Sequence, residues 1–222
     1  MRMFSRLSQS NILIPSMIVI AMLAVAAGFF VSVKQAQQKE LELVRQEVNV
    51  PGLFWPNPKN LGQFEVVDHT GQIFNQNNLS DKWSVIFFGF THCPDICPVT
   101  MSMLGQIYPS IDEKVNNLQV LFVSVDPERD TPEKMADYVN YFNENFVGLS
   151  GNLIQVETLT KQLGVAYFHH ERQGDNYLVD HSASLFVIDP KGRLVGKISP
   201  PHTPEIIQNN FLDIQTFINE QG

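Results

Sequence analysis

The stretch that decides the fold is SVIFFGFTHCPDICP, residues 84–98. Its first part, Ser84 to Phe90, is an apolar run of the kind that forms a central strand buried on both faces. Both cysteines of the chain, Cys93 and Cys97, follow directly, where a helix is predicted to begin. Functional sites of open α/β sheets gather at the carboxyl ends of strands. The two thiols are therefore expected to mark the functional site.

On both sides of this stretch, short apolar runs alternate with amphipathic segments. Strands are predicted at 64–67, 71–74, 84–90, 118–125, 165–168, 185–188 and 194–198, and helices at 98–108, 131–146, 157–163 and from 203 onward. The start at Thr131-Pro132-Glu133 has the hydroxyl cap, the early proline and the first-turn acid of a helix. Strands that alternate with helices pair in parallel, so residues 62–222 are predicted to form one α/β domain that includes a closing β-hairpin.

The N-terminal region is predicted to cross a membrane. Residues 12–33 carry no charge, and these 22 residues extend about 33 Å as a helix, against roughly 30 Å of hydrocarbon. A cleaved signal peptide is the alternative, because residues 24–26 (AVA) resemble a cleavage site, although apolar residues continue beyond them. Lys and Arg are nearly balanced across the segment. The basic head, residues 1–11, resembles an export signal, so we expect it in the cytoplasm and the C-terminal domain outside, in an oxidising compartment.

Residues 34–61 are predicted to be a stalk and a linker. Residues 34–50 are polar and compatible with a helix. The run PGLFWPNP, residues 51–58, contains too many prolines for a helix. We expect it to be a linker whose Phe54 and Trp55 dock on the domain.

The composition excludes several classes of protein. With 44% apolar residues among 222, the chain can build a packed core and is not disordered as a whole. A formal net charge of −8 argues against a nucleic-acid-binding protein, which needs a basic face. Two cysteines cannot build a disulfide framework, a four-thiolate zinc site or an iron–sulfur cluster.

The spacing of the cysteines leaves three kinds of chemistry open. On a helix, Cys93 and Cys97 would share a face with their Cα atoms about 6 Å apart, which a disulfide tolerates. A structural disulfide is one reading, although so small a loop gives little stabilisation. The others are a redox-active pair and a site for a soft metal such as Cu(I) or zinc.

A third ligand would favour the metal site, and His181 is the first candidate. It lies in the segment VDHSA, residues 179–183, just before the predicted strand 185–188. In an α/β domain this segment returns to the end of the sheet that carries the cysteines. Two thiolates and one imidazole can hold both Cu(I) and Cu(II). Weaker candidates for a ligand or a neighbouring role are His92, His169, His170, Met101 and Met103.

Three motifs, in this order, resemble the Sco/SenC family over residues 51–222. They are FTHCPDICP at 90–98, VDPERDTP at 125–132, and VDHSAS at 179–184 leading into IDPKG at 188–192. The resemblance implies a thioredoxin-like fold, a central mixed sheet flanked by helices, preceded by one transmembrane helix. It also implies copper, as Cu(I) or Cu(II), bound by Cys93, Cys97 and His181. The segment 125–132 is implied to lie near this site.

The same resemblance implies a function and a place in the cell. It implies a membrane-anchored copper chaperone, not an enzyme in the strict sense, that assists maturation of the binuclear copper centre of cytochrome c oxidase subunit II. The expected partners are that subunit, a periplasmic copper donor and a thiol reductant. The expected location is a bacterial inner membrane, with a monomeric domain in the periplasm.

Two alternatives use the same cysteines. In a thiol–disulfide oxidoreductase that reduces the copper-ligand cysteines of subunit II, Cys93 would attack and Cys97 would resolve. A redox or copper sensor is a related reading. A peroxidase is disfavoured, because Ile86 and Phe90 occupy the positions where a peroxiredoxin motif requires Pro and Thr or Ser.

Overall fold

The computed structural model describes residues 28, 30–35, 53–170 and 177–221, without the side chains of 53–56 and 221. The chain divides into two compact units, Met1–Val50 and Pro51–Gly222. In the first unit, residues 28 and 30–35 are helical. No helix within the described part of the chain has the length and apolarity needed to cross a membrane. Most of the predicted head, anchor and stalk lies outside the described residues, as do the side chains of Phe54 and Trp55.

The second unit contains ten strands and four helices in the described ranges. The strands are β1 Leu53–Asn60, β2 Glu65–Asp68, β3 Ile73–Asn75, β4 Trp83–Gly89, β5 Leu118–Ser124, β6 Val147–Ser150, β7 Tyr167–His169, β8 Val179–His181, β9 Leu185–Ile188 and β10 Arg193–Ile198. The helices are α1 Ile96–Val115, α2 Pro132–Phe142, α3 Leu153–Leu163 and α4 Pro204–Gln221, and a short 3₁₀ turn covers Gln76–Leu79.

Eight strands form one mixed sheet in the order β1-β10-β9-β4-β5-β6-β2-β3, and β7 and β8 form a separate hairpin. The central strands β4, β5 and β6 are parallel, and the remaining neighbours are antiparallel. This is the predicted thioredoxin-like α/β fold. Phe87 of β4 pairs with Leu185, the first residue of β9. The antiparallel β9 therefore begins beside the carboxyl end of β4. The segment before β9 lies at the same end of the strands as the cysteines.

The sheet is covered on both faces, as its uninterrupted apolar strands predict. On one face, Phe87 of β4 packs in a cluster with apolar residues of α1, α2 and α4. On the other face, Phe88 and Phe90 pack with residues of α3 and of the β7–β8 hairpin. Cys93 contacts both clusters from the end of β4. The cysteine segment thus lies at the carboxyl end of β4, between the apolar clusters on the two faces of the sheet.

Part of the predicted linker proved to be a strand. Residues 53–60 form β1, which pairs with β10 at the edge of the sheet. Prolines favour an edge strand or a bulge because they cannot donate to a ladder. Pro56 and Pro58 meet both conditions, since the register of β1 shifts between Phe54 and Lys59. The compact unit accordingly begins near residue 51, not 62.

Several predicted boundaries were wrong, and two further strands were not predicted. Helix α1 continues past Pro109 to Val115 because Ile107 and Ile111 bury against the sheet on both sides of the proline. Helix α2 ends at Phe142, and the predicted helical residues that follow lead into β6, whose four residues are too few for a periodic signal. Helix α3 begins earlier than predicted, at Leu153, where Asn152 and Gln155 form a capping box. The other missed strand is β8, which carries His181.

Candidate metal centre

The turn between β4 and α1 places Cys93 just before the helix and Cys97 in its first turn. The Cys93 amide donates to the carbonyl oxygen of Phe90 at 3.1 Å, which closes this turn. Cys97 is the second residue of α1 and is fully buried, whereas Cys93 is only half-buried. A helix N-terminus stabilises negative charge, so this position favours thiolate. Both cysteines are free thiols.

His181 reaches the cysteines from the opposite layer. It ends β8, and its pairing partner on β7 is Tyr167. Its Nε2 atom lies 3.3 Å from the Sγ atom of Cys97, and its Nδ1 atom lies 3.2 Å from the carbonyl oxygen of Ser182. A carbonyl oxygen can only accept, so Nδ1 carries the proton of the neutral ring. The Nε2 lone pair is then directed towards the sulfur atoms.

Two aromatic rings hold the partly buried imidazole of His181. Phe87 contacts it edge-on with ring centroids 6.1 Å apart, and Phe90 does so at 6.0 Å. These residues come from opposite faces of β4, so the imidazole lies over the end of that strand. A ligand whose ring is held in this way loses little freedom when it binds a metal.

The three side chains form a metal-ligand group. The Sγ atoms of Cys93 and Cys97 and the ring nitrogen of His181 all lie within 4.8 Å of one another. Within the described ranges, no other cluster of three His, Cys, Asp or Glu side chains meets this condition. Two sulfur atoms and one imidazole are a donor set that suits Cu(I), Cu(II) and zinc.

The two thiols share one proton unequally. A hydrogen bond from the Cys97 thiol lowers the pKa of Cys93 to about 4, against partial burial, which raises it. The hydrogen-bond contact with His181 lowers the pKa of Cys93 further. The same contact with Cys93, together with burial, raises the pKa of Cys97. At neutral pH the pair therefore holds a half-buried thiolate at Cys93 and a buried thiol at Cys97.

Comparison with known proteins identifies the family. The family model described as SCO1/SenC matches residues 56–214. This chain belongs to the SCO1/SenC family. A SCO2-like protein of Rickettsia conorii is 32% identical to it over 207 residues, which are 90% of this chain and 98% of the relative.

Solved structures of the SCO1/SenC family resemble this chain in fold. Arabidopsis thaliana ScoI with copper bound is 31% identical, covers 70% of this chain and 97% of its own, and gives a TM-score of 0.66. BsSco has a disulfide switch and is described as a member of the Sco family of cytochrome c oxidase assembly proteins. It is 18% identical over 74% of this chain and 96% of its own, with a TM-score of 0.58, a likeness that shows the fold.

The weaker candidate ligands of this SCO1/SenC protein do not join the group. Met101 is buried in the core and Met103 packs against the same cluster. His170 pairs with Asp180 at 2.8 Å, and both side chains are largely exposed. His92 extends half-exposed from the cysteine turn, with Nδ1 3.1 Å from the Thr91 hydroxyl. The remaining candidate, His169, lies 4.0 Å from the buried carboxylate of Asp126.

The sequence comparison placed the segment 125–132 near this SCO1/SenC centre but assigned its residues no chemical role. Asp130, buried after β5, accepts hydrogen bonds from the Thr91 amide at 3.0 Å, the Thr91 hydroxyl at 2.6 Å and the Ser124 hydroxyl at 2.6 Å. It thereby fixes the segment that leads into Cys93. The available signal was the motif at 125–132, in which acidic residues directly follow a buried strand.

Proposed function

We propose that this protein carries copper as its cargo, bound by Cys93, Cys97 and His181, and assists the assembly of cytochrome c oxidase. The observation that carries the proposal is the approach of two sulfur atoms and one imidazole nitrogen to within 4.8 Å of one another. The copper bound to Arabidopsis ScoI and the assembly role stated for the Sco family support it.

The donor set fits copper in both oxidation states. Thiolate sulfur is a soft ligand that favours Cu(I), and imidazole extends the range to Cu(II). Cys93 is half-buried, so a partner's ligand can approach its sulfur while Cys97 keeps its hold from inside the core. Stepwise ligand exchange at Cys93 is the route by which such a site would pass copper to a partner.

The finer parts of the proposal concern place and partner. Residues 12–33 would anchor the protein in a bacterial inner membrane, with the copper-binding domain in the periplasm. The recipient would be the binuclear copper centre of cytochrome c oxidase subunit II, and a periplasmic copper donor and a thiol reductant would serve the protein. These statements rest on the apolar N-terminal run and on the resemblance to the Sco/SenC family.

A second candidate function is thiol–disulfide exchange, and the lowered pKa of Cys93 favours it. The Cys93 thiolate would attack a partner's disulfide and release one partner thiolate, which takes up a proton. Cys97 would then lose its proton and attack the Cys93 sulfur, releasing the second partner thiol and leaving a Cys93–Cys97 disulfide. Two electrons pass to the partner in this sequence. Because His181 takes no part in either bond exchange, His181→Ala should retain this activity.

The copper proposal is tested by titrating the reduced full chain with Cu(I) under anaerobic conditions against a chelating competitor. We expect one equivalent to bind, and Cys93→Ser and Cys97→Ser each to weaken binding strongly. Met103→Leu, which removes a sulfur atom from the same helix, should bind as the unaltered chain does. If the unaltered chain fails to compete with the chelator, the copper proposal is wrong, and disulfide exchange becomes the leading function.

A further inference from the structure

The hairpin that carries His181 needs support from outside the main sheet. Within the part of the chain that the structure describes, strands β7 and β8 pair only with each other, in a two-stranded sheet of three residues per strand. A two-stranded hairpin by itself is marginally stable in water. Contacts between this hairpin and the rest of the domain must therefore set the position of His181. Apolar packing against Phe88 and Phe90 supplies some of them. Polar contacts of Tyr177 and His169 meet at Asp126, which follows the carboxyl end of β5.

Asp126 is bound by groups of the hairpin and of its own loop. The Tyr177 hydroxyl, two residues before β8, donates to Oδ1 of Asp126 at 2.5 Å. Nε2 of His169, at the end of β7, lies 4.0 Å from the same oxygen. Arg129 donates from Nε to Oδ2, the other carboxylate oxygen. Both strands of the hairpin are thus linked to one carboxylate that is 1% exposed.

Arg129 connects this carboxylate to the imidazole by a second route. Its guanidinium carbon lies 3.6 Å from the ring centroid of Tyr177 and 5.6 Å from that of Phe90. Phe90 in turn contacts the ring of His181 edge-on at 6.0 Å. The guanidinium therefore lies over two rings. One is Tyr177, just before β8, and the other is Phe90, just after β4, which contacts His181.

Asp126 is itself held rigidly by the central sheet. Its amide donates to the Ser124 hydroxyl at 3.0 Å, and its carbonyl accepts from the Arg129 and Asp130 amides, each at 3.1 Å. Ser124 is the last residue of β5, which is buried along its whole length. The position of the carboxylate is thereby tied to a fully buried central strand.

A buried ion pair contributes little net stability, since desolvation of both charges opposes their attraction. Its hydrogen bonds are directional, however, and a carboxylate with several donors allows few arrangements. We propose that Asp126, through Tyr177 and Arg129, is a positioning residue that holds the β7–β8 hairpin so that Nε2 of His181 faces the two cysteines. This inference deepens the proposed copper site and in that sense rests on it.

The test reads the position of His181 in the reduced, metal-free full chain. The ring-proton chemical shifts of His181 report its place between Phe87 and Phe90, since both aromatic rings shift them. The variants are Asp126→Asn and Tyr177→Phe, of which the second keeps the buried ring and removes only the hydroxyl. The matched control is Asp189→Asn, because Asp189 is also a buried carboxylate paired with an arginine, Arg193, but lies beyond the far end of β9.

We expect Asp126→Asn and Tyr177→Phe to move the His181 shifts towards unfolded-chain values. The Ser182 amide, which donates to Ala166 at 3.0 Å, should exchange its hydrogen about tenfold faster, as for a locally loosened segment. In the control Asp189→Asn, neither the His181 chemical shifts nor the exchange rate of the Ser182 amide should change. The inference is overturned if the His181 resonances stay unmoved in every variant, Asp126→Asn or Tyr177→Phe, that folds. This readout needs no copper, so a failure of the copper proposal would leave it interpretable.

A second arm measures Cu(II) binding by the same variants. Loss of a group that orients a metal ligand typically costs about 10–100-fold in affinity, and we expect Asp126→Asn and Tyr177→Phe to fall in this range. Asp189→Asn should bind Cu(II) as the unaltered chain does. Unchanged affinity in both site variants would contradict a role for Asp126 in the metal centre.

Discussion

The Sγ atom of Cys97 lies so close to Gly89 that a Cβ atom at position 89 would be 2.8 Å from it. The same Cβ would lie 2.7 Å from the ring of Phe122, so neither side offers room. Gly89 is the last residue of β4, and its missing side chain is what lets the buried sulfur reach the end of the strand. The position of Cys97 thus depends on a residue with no chemistry of its own.

Gly89→Ala should therefore displace Cys97 or strain the core around Phe122. We expect it to lower the free energy of unfolding by about 1–3 kcal/mol, as overpacking does, and to weaken Cu(I) binding. Urea denaturation and the chelator competition measure the two effects. Gly62→Ala is the control, because its Cβ would meet only the side chain of Gln162, at 3.4 Å. A Gly89→Ala protein with unaltered stability and copper affinity would contradict this account of the site.

The lowered pKa of Cys93 predicts unusual reactivity in acid. A folded-state pKa of about 4 means that the thiolate persists as pH falls from neutral and is lost only as pH passes through that value. Alkylation of Cys93 by iodoacetamide, followed by mass spectrometry, should therefore keep its rate down to about pH 5. Cys97→Ala removes the thiol that donates to Cys93 and should move the midpoint upward. A midpoint near that of an ordinary thiol in the unaltered chain would show that Cys97 makes no such hydrogen bond.

Asp130 is predicted to stabilise the turn that carries Cys93. In Asp130→Asn, one of the two carboxylate oxygens that accept from Thr91 and Ser124 is replaced by an NH₂ group, which cannot accept. A buried donor left without its acceptor costs about 1–3 kcal/mol, and we expect a loss of that size in the free energy of unfolding. The measurement is urea denaturation of the reduced chain beside Asp213→Asn, an exposed position on α4. Equal stability of the two variants would be inconsistent with the network.

Much of the fold follows from the sequence, because the central strands are continuous apolar runs. Strands β4 and β5 are fully buried and pair in register over seven residues, so their signal is strong. The edge strand β1 was not predicted, because its prolines indicate a linker unless the bulge and the antiparallel partner β10 are known. Strand β8 has three residues and depends on tertiary contacts, which no local pattern reveals.

The ligand candidates of the site could also be selected from the sequence, but their supports could not. Cys93 and Cys97 follow a buried strand, and the position of His181 just before the strand 185–188 made it a candidate that the Sco/SenC resemblance then supported. Asp126 and Asp130 were visible only as a motif without a chemical role. Their roles depend on partners 39 and 51 positions distant, Thr91 and Tyr177, and sequence spacing does not encode such contacts.

The central claim is that His181 completes a copper site with the two cysteines. Its most direct test is an anaerobic Cu(II) titration of the reduced full chain, followed by the thiolate-to-copper charge-transfer absorption, beside His181→Ala and the control His69→Ala. His69 is suitable because it accepts a hydrogen bond from the Gly148 amide near the start of β6, a strand that β5 separates from β4 and the cysteines. We predict one equivalent with a charge-transfer band in the unaltered chain and in His69→Ala, and a lost or weakened band in His181→Ala. A band of undiminished intensity in His181→Ala would contradict the account.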